Sequence, residues 1–356
     1  MVLTMKKGKS SVSTLRDVAK KADVSIATAS RVLSNSDYPV SQALRKRIIR
    51  VAEELNYTPN LLGKMLKNNA YHAVGVIVPT LQNPFFNQVI LGVESAAREK
   101  NYEVVIYSSH RSAEQEHNNI LNLLKNRVMA LIIISIDEKG DALQHYIDCG
   151  GRVALLEADF QLEGAIMAQT DYLLAGRLAA QYLAGQGHRK VALLTSPLTK
   201  GYRCQILDGV RESFRESNIS FSDCDVFVAH TESESDTGLY EFELGRQLVD
   251  TFLQSRRKHT AIIAINDITA FGVIQALAQR GLSVPDHISV ISFDNITYAE
   301  MISPPLTTVE LPSNRVGFAA CEMLISPMVF NEGGSPDIRF SFPCRLKERQ
   351  SVKKLN

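Results

Sequence analysis

Thirteen lysine and arginine residues fall within the first 72 positions, accompanied there by only five aspartate and glutamate residues. The other 284 positions carry 26 basic and 33 acidic residues. Cations at this density can neutralise phosphates and release their counterions, which gives much of a protein's affinity for DNA. The formal net charge of +1 therefore conceals a basic head joined to an acidic body.

Residue types used in catalysis occur in the body without a catalytic spacing. The sequence contains no Gly-x-x-x-x-Gly-Lys loop, Gly-x-Gly-x-x-Gly turn, Gly-x-Ser-x-Gly elbow or His-Glu-x-x-His helix. Glu157 and Asp294 are a conceivable glycosidase pair, but nothing fixes their separation. His188 is better explained as a group that satisfies carbonyls at a helix end. We expect no catalytic residues and no cofactor.

The five cysteines are odd in number and lack a C-x-x-C or Cys/His ligand spacing. We therefore expect reduced thiols and no metal site. The basic N-terminus is not followed by the apolar stretch of a secretory signal, and no window approaches eighteen consecutive apolar residues. These features predict a cytoplasmic protein with no membrane partner.

Three short amphipathic helices are predicted in the head. Thr14 is placed to cap the first, and Asp17 completes a capping box. Ser25 and Ser41 are placed to cap the second and third helices. A brief turn at Asp23 joins the first two as a helix-turn-helix, although a plain basic bundle would show the same pattern.

Residues 14–60 contain Asp17-Val-Ala19, Val24-Ser25, Thr28, Ser30-Arg-Val32, Leu55-Asn-Tyr57 and Pro59-Asn60 at fixed spacings. With these positions, the run resembles the headpiece of the lactose-repressor-type (LacI/GalR) family of bacterial transcriptional regulators. Asp23 replaces the family's usual glycine, and aspartate tolerates a left-handed backbone moderately well. The resemblance implies a DNA-binding headpiece over 14–58, after a flexible basic tail over 1–13.

In that family the second helix enters the major groove. Ile26 and Ala27 can favour a thymine methyl, whereas Arg31 can donate paired hydrogen bonds to a guanine. Arg31 is therefore expected to supply most of the direct readout, with Thr28 and Ser30 at phosphates. The complete set of expected DNA contacts is Thr14, Ser25, Ile26, Ala27, Thr28, Ser30, Arg31, Asn60, Lys64, Leu66 and Lys67.

Residues 59–72 are too few to form a stable helix alone, and Gly63 weakens helix formation by about 1 kcal/mol relative to alanine. Composition alone is compatible with a flexible linker. The resemblance implies instead a hinge helix that folds when two copies meet in the minor groove. Leu66 matches the family's wedge leucine, with Lys64 and Lys67 near phosphates.

Short apolar runs alternate with amphipathic stretches from residue 74 onward. Seven runs are typical of buried strands: 74–79, 104–107, 130–135, 152–156, 190–196, 261–266 and 288–293. The alternation predicts an α/β core over 73–350, built from two doubly wound parallel-sheet subdomains with a cleft between them. This core resembles periplasmic sugar-binding proteins and the core of the same family. The expected subdomains are 73–170 with 310–331, and 171–309 with 332–350.

Ligands bind at the carboxyl ends of parallel strands, and the resemblance assigns effector-binding positions there. By motif they are Asn83, Phe85, Phe86, Glu157, Asn266, Asp267 and Asp294. Arg203 and Tyr240 are added as effector contacts at two places where this sequence departs from the family pattern. Carboxylates and amides next to aromatic faces suit a polyol. Phe85 and Phe86 are also compatible with core or dimer contacts, and Asn266-Asp267 with a helix cap.

Ile206 stands where many family members carry a pocket arginine, and Arg203 lies one helical turn earlier. An acidic pocket without a fixed arginine would repel phosphorylated ligands, so a neutral sugar or glycoside is the expected effector; an Arg203 side chain turned into the pocket would reverse this expectation. A nucleoside, a purine or a phosphosugar remains an alternative, as does a sugar receptor that never binds DNA. The resemblance implies a homodimeric regulator that binds a near-palindromic operator in double-stranded DNA. It also implies that Phe86 and Arg127 face the partner subunit.

Overall fold

The computed structural model describes residues 13–33, 39–57, 72–137, 139–229, 240–255, 257–330 and 338–355. The chain divides into a head, up to Tyr71, and a body, from His72 onward. The predicted hinge contacts Asn60, Lys64, Leu66 and Lys67 lie outside the described residues.

The head contains the three predicted helices, Leu15–Lys21, Ile26–Leu33 and Gln42–Glu54. Thr14 and Asp17 form the capping box: Thr14 Oγ1 accepts from the Asp17 N–H at 3.3 Å, and Asp17 Oδ2 accepts from the Thr14 N–H at 2.8 Å. Asp23 adopts φ 50°, so the turn keeps its left-handed backbone without a glycine. The core of the head consists of small and branched apolar side chains: Val18, Ala19, Ala22, Ala29, Val32, Ile48, Val51 and Ala52.

Two six-stranded sheets form the body. The first has the order β11-β5-β4-β3-β1-β2 and is parallel throughout. Its strands are β1 Ala73–Val78, β2 Glu103–Ser108, β3 Ala130–Ile134, β4 Arg152–Leu156, β5 Ala165–Thr170 and β11 Arg339–Phe342. The second has the order β12-β10-β9-β8-β6-β7, with only β12 antiparallel. Its strands are β6 Val191–Thr195, β7 Val226–Val228, β8 Ala261–Ala264, β9 Ser289–Asp294, β10 Thr307–Glu310 and β12 Arg345–Lys347.

Helices cover both faces of each sheet, so the central strands are buried apolar runs. The helices of the first subdomain are Pro84–Glu99, Ala113–Lys125, Asp141–Asp148, Ser313–Ile325 and Pro327–Phe330. Those of the second are Tyr172–Gly185, Gly201–Glu216, Tyr240–Gln254 and Asp267–Gln279, with short 3₁₀ turns at Asp223–Asp225 and Thr297–Glu300. The predicted α/β class with two parallel-sheet subdomains is confirmed.

Helices Pro84–Glu99 and Ser313–Ile325 pack at very short distance. A Cβ added at Gly92 would lie 2.0 Å from the Asn314 carbonyl oxygen, and one at Gly317 would lie 2.2 Å from that of Val89. Glycine is therefore required at this crossing, which ties the late helix to the first sheet.

The chain crosses between the subdomains three times, after β5, after β10 and between β11 and β12. Residues 332–350 were expected in the second subdomain, and β12 does lie there. The structure differs at β11, which pairs in parallel with β5 of the first sheet. Each strand has four residues or fewer, so neither carries enough apolar pattern to assign it to a sheet from sequence.

Candidate functional site

A cleft of about 890 Å³, including its open mouth, lies between the two subdomains. Side chains at the carboxyl ends of strands from both sheets line it, as expected for parallel α/β folds. Eight of the nine expected effector contacts are on its walls: Asn83, Phe85, Phe86, Glu157, Arg203, Tyr240, Asn266 and Asp294. The ninth, Asp267, is not.

Asn83 is fixed by two bonds with different roles. Its Oδ1 accepts from the Phe85 N–H at 3.0 Å and caps the helix Pro84–Glu99. Its Nδ2 donates across the cleft to Glu241 Oε1 at 3.3 Å. The cap sets the direction of the amide, and the amide then links the first subdomain to the second.

Arg111 and Glu241 form a buried ion pair across the same cleft. The Arg111 guanidinium donates to Glu241 Oε1 at 2.5 Å, and the two side chains are 13% and 7% exposed. Arg111 also lies 5.5 Å from the centre of the Tyr240 ring, within cation–π range. Sequence reasoning missed both charged residues, although Arg111 follows a strand closely enough for the strand-end rule to have found it.

Glu157 lies partly buried beyond the end of β4. Its carboxylate accepts from the Thr170 hydroxyl at 2.6 Å and from the Thr170 N–H at 3.1 Å. Burial raises the pKa of Glu157 to about 7, and the hydrogen bonds from Thr170 oppose that rise. The group can therefore be either a donor or an acceptor toward a ligand near neutral pH.

Asp267 is a structural carboxylate, which corrects its assignment as a ligand contact. It is fully buried and accepts from Ser292 Oγ at 2.5 Å, Thr308 Oγ1 at 2.7 Å and the Ile296 N–H at 2.8 Å. These bonds tie the helix Asp267–Gln279 to β9 and β10. The adjacent Asn266 both lines the cleft and caps that helix, accepting from the Thr269 N–H at 2.8 Å.

Asp294 lies on the cleft wall, close enough to Asp267 to feel its charge. Burial, followed by the nearby charges of Asp267 and Glu241, raises its pKa well above the ordinary value for an aspartate. Burial also raises the pKa of Asp267. The neighbouring carboxylates of Asp267 and Glu241 therefore disfavour ionisation of Asp294.

The premise of a pocket without a fixed arginine is wrong, because Arg203 is held in the cleft. Arg203 is 4% exposed; its Nε donates to the Tyr202 hydroxyl at 3.0 Å and its guanidinium to the Pro197 carbonyl at 2.8 Å. Ile206 also lines the wall. The loop 196–200 therefore positions a cation that the family's usual spacing does not predict.

Lys200 brings a further cation to this wall and was also missed. Its Nζ donates to the Ile136 carbonyl of the first subdomain at 3.1 Å. The next residue, Gly201, donates its N–H to Asp159 Oδ2, also of the first subdomain, at 2.7 Å. Together with the pair formed by Arg111 and Glu241, these bonds hold the cleft in a closed form.

The second helix of the head presents a separate surface. Its inward positions Ala29 and Val32 are buried, while Ile26, Ala27, Ser30 and Arg31 are exposed. Ser25 Oγ accepts from the Thr28 N–H at 3.0 Å and contacts the Thr28 hydroxyl at 2.8 Å. Thr14 is exposed within its capping box. The expected DNA contacts of the described head therefore lie on and around one helix.

Within the described ranges, no group of three or more His, Cys, Asp and Glu side chains is arranged to hold a metal ion. No helix among those same residues is long and apolar enough to cross a membrane.

Two protein-family models match the chain. Residues 14–60 match bacterial regulatory proteins of the lacI family, and residues 180–352 match a periplasmic binding protein-like domain. The chain is 32% identical to the ribose operon repressor of Escherichia coli K12, over 88% of this chain and 92% of that protein. It is 30% identical to the HTH-type transcriptional repressor PurR of Vibrio vulnificus, over 97% of this chain and 100% of that one. The solved lac repressor dimer bound to operator and the anti-inducer ONPF superposes with a TM-score of 0.77 at 26% identity, covering 96% of this chain and 100% of that chain.

Proposed function

Because the chain belongs to the lacI family of bacterial regulatory proteins, we propose that its head binds operator DNA and that its cleft binds the effector that controls this binding. The protein is a DNA-binding transcriptional repressor with a small-molecule effector, and not an enzyme. This conclusion depends on two matches in one chain: the head matches the lacI family model, and most of the chain matches a repressor.

Arg31 is the proposed principal base contact. It is exposed on the helix Ile26–Leu33, one turn beyond the exposed Ile26 and Ala27. A guanidinium in the major groove can donate two hydrogen bonds to guanine, whereas Ile26 and Ala27 offer only apolar contact to a thymine methyl. Thr28 and Ser30 are proposed to bind phosphates and so to fix the register of the helix.

The repressor acts as a homodimer with two heads on a near-palindromic operator, because two-fold operator symmetry requires two copies of the reader. We propose that the dimer binds its operator in the cytoplasm, where bacterial DNA is found. Residues 59–72 are proposed to form the paired hinge, with Leu66 inserted into the minor groove. An effector can change operator affinity only as far as its affinities for the two body conformations differ, commonly by about 1 to 3 kcal/mol.

A sugar or sugar derivative is the proposed class of effector, with genes of carbohydrate metabolism as the targets. The similarity to the ribose operon repressor supports this class, as do amide, carboxyl and tyrosine groups lining a cleft suited to hydroxyl recognition. A purine or nucleoside is the second candidate, because the chain is nearly as similar to PurR.

Selection of operator sequences from a random duplex library, followed by gel-shift assays, tests the proposal. The intact protein should select a near-palindromic site, and removal of residues 1–72 should abolish the shift while ligand binding persists. The log–log salt slope should be about −0.9 per phosphate neutralised. An intact chain that prefers no duplex, with or without ligand, would instead identify a receptor that does not bind DNA.

A further inference from the structure

Three polar links that cross the cleft come from segments that are themselves connected. The links are Arg111 to Glu241, Lys200 to the Ile136 carbonyl, and the Gly201 N–H to Asp159. In the second subdomain Lys200 and Gly201 are consecutive residues, so the second and third links share one segment. The connection between the first link and the second lies in the first subdomain.

A buried carboxylate makes that connection. Glu116, on the helix Ala113–Lys125, is 1% exposed. Its Oε1 accepts from the Ser135 hydroxyl at 2.6 Å, and its Oε2 accepts from the Ile136 N–H at 2.9 Å. Both donors belong to the loop that follows β3 and lines the cleft. Glu116 therefore fixes the residue whose carbonyl receives Lys200.

Arg111 immediately precedes the N-cap of the same helix. The cap residue is Ser112, whose Oγ accepts from the Gln115 N–H at 3.3 Å and whose carbonyl accepts from the Glu116 N–H at 2.9 Å. The Arg111 N–H donates to the Pro79 carbonyl at 3.0 Å, which fixes the turn to the end of β1. One ordered helix end thus carries the arginine of the first link and the carboxylate that supports the second.

The backbone that presents Arg111 is strained, which is an independent sign of a functional role. His110 and Arg111 are consecutive residues with φ of 49° and 54°. This left-handed conformation brings the Cβ too close to the following carbonyl oxygen, so it persists only where surrounding contacts determine it. Such residues cluster at binding sites and switches, and Glu157 and Asp294 on the cleft walls also have positive φ values.

We propose that Glu116 is a positioning residue for closure of the cleft, and that the helix end it shares with Arg111 makes the three links form and break together. Loss of the Glu116 carboxylate would release Ile136 and with it the acceptor for Lys200. Links that act together give the body two discrete arrangements, and a two-state element of this kind is what an allosteric ligand biases. The inference therefore rests on the proposed function, since it concerns the regulation of the same cleft.

Hydrogen exchange at the Gly201 N–H measures closure directly. This amide has no acceptor within its own helix and is bonded to Asp159 only while the cleft is closed. The full-length protein is used without DNA or ligand, so no effector has to be identified. Glu116→Ala should accelerate the exchange about tenfold. Glu116→Gln should stay within about twofold of the wild type, since its amide can accept from Ile136 and donate to Ser135.

Two further comparisons separate positioning from general destabilisation. In a Lys200→Met background, Glu116→Ala should add less than about a twofold acceleration, because the acceptor that Glu116 positions has lost its donor. The double change Arg111→Gln with Glu241→Gln removes the first link without leaving a buried charge unpaired. It should also accelerate exchange at the distant Gly201, by about tenfold, if the links break together.

Glu114→Ala is the matched control, since Glu114 is exposed on the same helix and takes part in none of the links. Ser135→Ala removes one donor to Glu116 and provides a milder variant, with an expected acceleration of about threefold, should Glu116→Ala fail to fold in urea titrations. Three results would overturn the inference. They are exchange at Gly201 that neither variant changes, equal acceleration by the alanine and glutamine variants, and a full additional effect of Glu116→Ala in the Lys200→Met background.

The double variant tests the concerted part of the proposal alone: unchanged exchange at Gly201 would show that the links open independently. None of these measurements depends on operator recognition. Loss of the proposed function would appear separately, as failure of the ligand-free protein to select any duplex.

Discussion

Asp159 of the first subdomain caps a helix of the second: its Oδ2 accepts a hydrogen bond from the Gly201 N–H at 2.7 Å. Lys200 precedes that helix and makes no side-chain capping bond. The first orphan N–H of the helix is therefore satisfied from across the cleft, and the bond exists only while the cleft is closed. A Cβ at Gly201 would lie 2.0 Å from Asp159 Oδ1, so glycine is needed for this approach.

Asp159→Ala is expected to weaken closure. Loss of a capping carboxylate costs about 0.5 to 2 kcal/mol, so effector affinity should fall by a few-fold to tenfold. Small-angle scattering should report a larger radius of gyration for the variant at equal effector concentration. Glu163→Ala, an exposed change a few residues later, is the control. Identical affinities and radii for the two variants would show that the bond does not contribute to closure.

The crossing of the helices Pro84–Glu99 and Ser313–Ile325 gives a stability prediction. Gly92→Ala would place a methyl group 2.0 Å from the Asn314 carbonyl oxygen, and backbone must move to admit it. We expect a loss of about 1 to 3 kcal/mol in the free energy of unfolding, measured with urea. Gly185→Ala meets no atom within 4 Å and should be neutral or stabilising by less than about 1 kcal/mol. A Gly92→Ala protein as stable as Gly185→Ala would show that the helices can separate at no cost.

Local sequence patterns were sufficient to predict the helices of the head and the central strands of the body. Thr14, Ser25 and Ser41 all act as caps as predicted, because capping depends on residues three positions apart. Buried parallel strands are long apolar runs, so seven were found from sequence. The other five strands were missed. Strands β7, β10, β11 and β12 have only three or four residues, which carry no periodicity, and the six-residue β5 ends in the polar pair Gln169-Thr170.

Contacts distant in sequence could not be predicted in the same way. The start of the helix Gly201–Glu216 depends on a capping carboxylate 42 positions away in the sequence. Arg111 and Glu241 are 130 positions apart, and no local pattern links them. Asp267 was assigned to the pocket by the family resemblance, together with Asn266, yet helix geometry turns successive side chains in different directions. The three groups that donate hydrogen bonds to Asp267 come close to it only in the folded sheet, so its structural role could not be predicted from local sequence.

The raised pKa of Glu157 predicts how stability depends on pH. Its pKa is about 7 in the folded protein and close to 4.5 when unfolded. Between these values the folded state binds more protons, so this group's contribution is fully present below pH 4.5 and is lost as the pH rises through 7. Urea unfolding of wild type and Glu157→Gln at several pH values from 5 to 8 should show the variant gaining relative stability as the pH rises. A difference that stays constant over this window would refute the assigned shift.

Arg31→Ala is expected to weaken specific operator binding by about 1 to 3 kcal/mol and to relax the preference at one base pair of each half-site. Loss of a bidentate guanine contact explains both effects. Binding to a panel of single-base operator variants measures them. Arg47→Ala, on the exposed side of the third helix, should weaken binding about equally across the panel, if at all. An unchanged base preference in Arg31→Ala would instead assign Arg31 to a phosphate.

Asp294 and Asp267 provide a matched pair, since both are acidic and lie close together but only Asp294 lines the cleft. Asp294→Ala should abolish the change in operator affinity that the effector produces, because it removes a proposed ligand contact. Asp267→Ala should instead lower the free energy of unfolding by about 2 to 4 kcal/mol, since it leaves Ser292, Thr308 and the Ile296 N–H without their acceptor. Gel shifts with and without effector and urea unfolding separate the two effects. A retained effector response in Asp294→Ala would remove it from the binding site, and an unaffected stability in Asp267→Ala would contradict its structural role.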